Sequence, residues 1–157
     1  MNDQDLLCVL ESLRFLPNLR TLCVESKGQA PDSGAAEVNT VYSVSHRNCR
    51  ELRLNGISLT PTIATMLGQL LPKMSSLTKL ELTGRDGSVV PAEQMERLFD
   101  RFTEKLPLST LNFSGFSVRG CLALLTRSFS SFPNLKHVSL KKLNMDRSEE
   151  RRVGKEC

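Results

Sequence analysis

One pattern of apolar anchors recurs five times along the chain and restricts what it can fold into. The segments are Leu19-x-x-Leu22-x-Val24, Cys49-x-x-Leu52-x-Leu54, Leu77-x-x-Leu80-x-Leu82, Leu108-x-x-Leu111-x-Phe113 and Leu135-x-x-Val138-x-Leu140. Successive central anchors are 30, 28, 31 and 27 residues apart. Self-similarity at a nearly fixed period of this size is the mark of a stacked repeat architecture. Alternating apolar positions within each segment predict a short strand with one buried face.

The material between anchors repeats as well. Helical spacing is read over Asp5 to Leu16, Pro61 to Leu71, Pro91 to Leu106 and Val118 to Phe132. In the third of these, Met95, Leu98, Phe99 and Phe102 fall at i, i+3, i+4 and i+7, one apolar stripe of a helix. Pro61 and Pro91 stand where a helix starts, a position that loses nothing from the missing N–H. Leu16-Pro17-Asn18-Leu19, Leu71-Pro72-Lys73-Met74 and Phe132-Pro133-Asn134-Leu135 put a proline turn between helix and strand. Each unit reads as helix, proline turn, short strand and a loop to the next helix. A lone strand and helix cannot bury their apolar faces, but stacked copies share one core. The fold expected is α/β, a leucine-rich-repeat solenoid of the ribonuclease-inhibitor-like type. It would be a horseshoe arc with a parallel concave sheet and convex helices. Leucine fills its core, with no tryptophan and a single tyrosine, Tyr42.

The units are irregular. Lys27 to Ala36 is rich in Gly, Ser, Pro and Ala and reads as an exposed loop, and Arg85-Asp86-Gly87-Ser88 as a tight turn. The asparagine that follows the strand in regular repeats occurs only as Asn55, and there it is displaced.

Residues between the anchors are expected on the concave face. They are Thr21, Cys23, Glu51, Arg53, Lys79, Glu81, Thr110, Asn112, His137 and Ser139. Their short polar groups and mixed charges suit contact with proteins. The formal net charge is +4, from 21 basic and 17 acidic residues interspersed along the chain. No concentrated basic cluster interleaved with aromatics marks a nucleic-acid footprint, so no nucleic-acid partner is expected.

Chemistry-bearing motifs are missing. There is no GxxxxGK[ST] phosphate loop, no HExxH spacing around His46 or His137, and no GxSxG elbow at Ser114-Gly115-Phe116-Ser117. Neither catalysis nor a cofactor or metal in this segment is expected. Asn112-Phe113-Ser114 matches a glycosylation acceptor but falls within a strand, which makes it a chance match. The five cysteines, Cys8, Cys23, Cys49, Cys121 and Cys157, include no CxxC pair and read as reduced, mostly buried thiols. No apolar run approaches the roughly 20 residues that span a bilayer, and the acidic start holds no signal core. A cytoplasmic protein without a membrane partner is expected.

The strings LRFLPNLRTL, LPKMSSLTKLELTGRDGSVVPAEQMERLF, LNFSGFSVRGCLALLTRSFSSFPNLKHVSL and KKLNMD resemble the C-terminal leucine-rich repeats of the NOD-like receptors of innate immunity. The resemblance covers residues 1–146. It implies a non-catalytic repeat arc of a cytosolic receptor that restrains the resting state and recognises a protein ligand in inflammasome signalling. The partners implied are the receptor's own nucleotide-binding module, a microbial protein ligand and a receptor partner. A ribonuclease inhibitor should be cysteine-rich and strongly acidic, which this chain is not. A ubiquitin-ligase substrate adaptor should carry an upstream F-box-like segment. Both are forms of the alternative, a free-standing intracellular binding arc. After Asp146 the pattern stops. Residues 147–157, RSEERRVGKEC, resemble a translated sequencing adaptor and are expected to be a non-native tail. On that reading the chain is a fragment.

Overall fold

The computed structural model describes residues 3–12, 15–25, 47–99, 106–118 and 122–143. Nine elements follow one another: α1 (Asp3–Ser12), β1 (Thr21–Glu25), β2 (Glu51–Ile57), α2 (Pro61–Leu70), β3 (Lys79–Val89), α3 (Ala92–Phe99), β4 (Thr110–Ser117), α4 (Leu122–Ser128) and β5 (His137–Ser139). The fold is α/β. Its five strands form one sheet in the order β1-β2-β3-β4-β5, every pair parallel.

The anchors set the register. Leu22, Leu52, Leu80, Leu111 and Val138 stand opposite one another across the sheet, as do Val24, Leu54, Leu82 and Phe113. A slip of one residue would turn every leucine outward, so burial of one face holds the register. Leu52, Leu54, Leu80, Leu82, Leu111 and Phe113 are wholly buried. Residues at the two edges of the sheet are less so: Leu22 is partly buried and Val138 remains 43% exposed, since each has a strand on one side only.

Successive helices pack in chain order, α1 on α2, α2 on α3 and α3 on α4. The side chain of Thr60 caps α2 by accepting from the Ile63 N–H at 3.3 Å, and Pro61 opens the helix. Ile63, Met66, Leu67 and Leu70 of α2 and Met95, Leu98 and Phe99 of α3 join the strand leucines in one core cluster. Gly68 lets these two helices approach, because a Cβ there would overlap the carbonyl oxygen of Arg97. Among the described residues no helix is long and apolar enough to cross a membrane.

A single turn leads into three of the strands. The N–H of Leu19 donates to Leu16 O at 3.0 Å, Leu77 to Met74 O at 2.9 Å, and Leu135 to Phe132 O at 3.1 Å. Met74 and Phe132 are buried, while Leu16, the equivalent residue at the β1 edge, is 51% exposed.

Several sequence expectations are corrected. The helices end before their apolar spacing suggested: the described part of α1 spans Asp3–Ser12 and Leu16 is outside any helix, and α2 ends at Leu70 with a 3-10 turn at Leu71–Lys73. The described part of α3 ends at Phe99, and Leu106 is outside any helix. α4 is followed by a 3-10 turn over Phe129–Ser131. Arg85 to Ser88 form no free turn between units. They belong to β3 as a bulge, the register running Thr83↔Ser114 and then Ser88↔Phe116. The bulge closes on Gly84 and Gly115. Gly115 has φ +75°, a Cβ there would come within 2.8 Å of Gly84 O, and one at Gly84 would come within 2.5 Å of the Phe116 ring. Phe116 in turn stacks on Phe113, ring centroids 4.6 Å apart. Lys27 to Ala36, Phe102, Cys121 and residues 147–157 lie outside the described residues.

Candidate protein-interaction face

The ten residues expected between the anchors come together as two rows on the sheet face opposite the leucines. Thr21, Glu51, Lys79, Thr110 and His137 form one row across the five strands, and Cys23, Arg53, Glu81, Asn112 and Ser139 form the next. Thr21, Cys23 and His137, on the two edge strands, are exposed; Ser139, also on an edge strand, and the six residues of the inner strands are half-buried. Strand alternation produces this face directly: β2 and β4 alternate half-buried and buried positions over their first four residues.

Charge on the face is arranged as an alternating square. Glu51 stands opposite Lys79 on the next strand, and Arg53 opposite Glu81. Along β2 the Arg53 Nη2 donates to Glu51 Oε2 at 3.0 Å. Both side chains of that pair remain more than a third exposed, so its contribution to stability is small. The square presents positive and negative groups in fixed positions, which favours selectivity between partners over indiscriminate attraction.

A third row was missed by reading only to the last anchor. Glu25, Asn55, Thr83 and Ser114 are in register beyond the second row. The signal was the continuing two-residue alternation, masked by the different lengths of the segments that follow. The Thr83 and Ser114 hydroxyls lie 3.5 Å apart across β3 and β4. Among the described residues, three side-chain atoms on this face are buried without a hydrogen-bond partner within the protein: Arg53 Nε, Asn55 Oδ1 and Asn112 Oδ1.

Cysteine placement departs from the sequence expectation. Of the described thiols, Cys8 and Cys23 are exposed and only Cys49 is buried. Cys49 takes an anchor position otherwise held by leucine, and burial pushes its thiol pKa above the ordinary value. Among the described residues no group of three His, Cys, Asp or Glu could hold a metal ion. The face is a patterned polar surface on a parallel sheet. No family model matches this chain, and neither a curated protein nor a solved structure matches it.

Proposed function

We propose that this chain is a leucine-rich-repeat arc whose outward sheet face binds protein, and that it serves as a non-catalytic recognition and autoinhibitory segment of a NOD-like receptor in the cytoplasm. The observation that carries the reading is the ladder itself. Five strands spaced 27 to 31 residues apart stack in parallel and in register, with leucines on one face and short polar groups on the other. A surface built by repetition gains area with every unit, which suits a protein partner. The receptor assignment is supported by the resemblance of the repeat strings, and the partners it names are the receptor's own nucleotide-binding module, a microbial protein and a receptor partner.

Extending the source transcript in both directions tests the assignment. Further repeats of the same period together with an upstream phosphate-binding loop in the same frame are the expected result. An authentic start at Met1 and a genuine stop after Cys157 would overturn the receptor assignment in favour of a free-standing binding adaptor.

A further inference from the structure

The turns that lead into the strands carry a charge pattern that the outward rows do not. Their described residues, 15–20, 47–50, 71–78, 106–109 and 129–136, include five basic side chains and no acidic one. The five are Arg20, Arg47, Arg50, Lys73 and Lys136, and all are exposed. Among the described residues none of them forms an ion pair. The helices have the opposite balance: Asp3, Asp5, Glu11, Glu93 and Glu96 against Arg97 and Arg127. The chain is thus polarised, with a basic rim where the strands begin.

The backbone of the rim holds three of these cations, Arg20, Arg50 and Lys136, on one line of rungs with Thr78 and Ser109 between them. Arg20 O accepts from the N–H groups of Arg50 at 2.7 Å and Glu51 at 3.0 Å. Arg50 O accepts from Thr78 and Lys79, Thr78 O from Ser109 and Thr110, and Ser109 O from Lys136 and His137. The hydroxyls of Thr78 and Ser109 add to the same carbonyls, on Arg50 and Thr78, at 3.2 and 3.1 Å. Asn48 Nδ2 donates to Pro17 O at 2.6 Å, tying the Arg47 turn to its neighbour. The carbonyls of Arg20, Arg50, Thr78 and Ser109 are taken, while the five basic side chains stay exposed.

We propose that this rim docks an acidic, extended polypeptide segment lying across the starts of the five strands. The inference rests on the reading of the sheet face as a protein-binding surface and names the chemistry of the partner. Neighbouring strands are about 4.8 Å apart, so the line from Arg20 to Lys136 is roughly 19 Å long, the reach of about six extended residues. Charge complementarity chooses an acidic occupant. The neutral rungs Thr78 and Ser109 interrupt the line of cations, and Glu51 and Glu81 lie just beyond it. That mixed pattern suits a peptide with spaced carboxylates and repels a continuous polyphosphate.

The test is fluorescence anisotropy of labelled poly-glutamate with the full chain, beside poly-uridylate RNA and poly-lysine. Salt-sensitive binding of poly-glutamate is expected, weakened about tenfold or more by Arg20→Glu with Arg50→Glu. Arg97→Glu with Arg127→Glu applies the same charge change to the helical side and should have little effect. Arg47→Gln with Lys136→Gln provides a milder rim variant, and circular dichroism verifies the fold of each. The proposal is overturned if poly-glutamate fails to bind, if the two charge-reversed pairs lose binding equally, or if the RNA binds more tightly through the same rim. Binding lost only with Arg53→Glu and Lys79→Glu would sink the rim and leave the sheet-face reading standing. Binding that needs the rim but ignores Arg53 and Lys79 would keep the rim and remove the sheet face.

Discussion

Truncating the central leucine ladder one position at a time should give a graded series of stability losses. Leu80 is wholly buried in the middle strand, with Leu52 and Leu111, also wholly buried, on either side. Leu80→Ala removes a branched side chain from a site that cannot collapse, because both neighbouring strands are fixed by their own ladders. Such substitutions cost roughly 2–5 kcal/mol, and the enclosure of Leu80 places it in the upper half of that range. Leu22, partly buried at the β1 edge, should lose about half as much. Val138→Ala at the opposite edge, where the side chain is 43% exposed, should cost less than about 1 kcal/mol. Domains of this size have about 5–15 kcal/mol in all, so the central change takes a large share. Urea unfolding of the three variants gives the losses as shifts in midpoint, with the slope as a check on two-state behaviour. A flat series, or a loss at Val138 equal to that at Leu80, would refute the shared-core argument.

Other perturbations separate close approach, thiol chemistry and surface charge. Gly68→Ala would gain about 1 kcal/mol from helix propensity alone, but the overlap with Arg97 O should reverse the sign and lower the melting temperature; an unchanged or raised one would contradict the packing of α2 on α3. Gly115→Ala, strained by φ +75° and crowded by Gly84 O, should cost on the order of 1–3 kcal/mol in the same assay. A thiol reagent should label Cys8 and Cys23 quickly and Cys49 only as the protein unfolds, and equal rates by mass spectrometry would count against the buried position. Because burial raises the Cys49 pKa, its contribution to stability is complete below the ordinary thiol range and declines as pH rises through that range toward the folded value. Cys49→Ala should flatten that decline. Glu51→Gln, breaking a pair more than a third exposed on both sides, should change stability by less than about 1 kcal/mol.

The elements most legible in the sequence were those whose residues answer to one strong constraint. The LxxLxL anchors predicted all five strands, because a two-residue alternation with one face buried admits a single register. The ten outward positions followed from the same alternation. Helix ends were less legible. Apolar spacing continued through Leu16 and Phe132, but both belong to the turns, where each carbonyl accepts from the N–H three residues on. Arg85 to Ser88 carry strong turn residues, yet the strand continues through them as a bulge, since Gly84 and Gly115 allow the neighbouring backbones to meet there. The exposure of Cys8 and Cys23 ran against residue type, because free cysteine is among the side chains most often buried. The basic rim was hidden for another reason: its five side chains are scattered over more than a hundred residues of sequence and meet only through the stacking of the turns.

The bulge in β3 also bears on how such a chain tolerates changes in length. The hydrogen-bonded rungs align the starts of all five strands, although the segments between them differ by up to four residues. The surplus in β3 is taken up after Thr83, beyond the rungs that keep the phase. Insertions and deletions therefore have unequal consequences along one unit. A residue added between Leu77 and Leu82 would flip the rest of β3 to the opposite face and break its register with both neighbours, whereas one added among Arg85 to Ser88 would only enlarge a kink already present. Length variation in relatives should accumulate after the strands and avoid their beginnings, leaving the outward face a fixed grid while the loops beside it diversify.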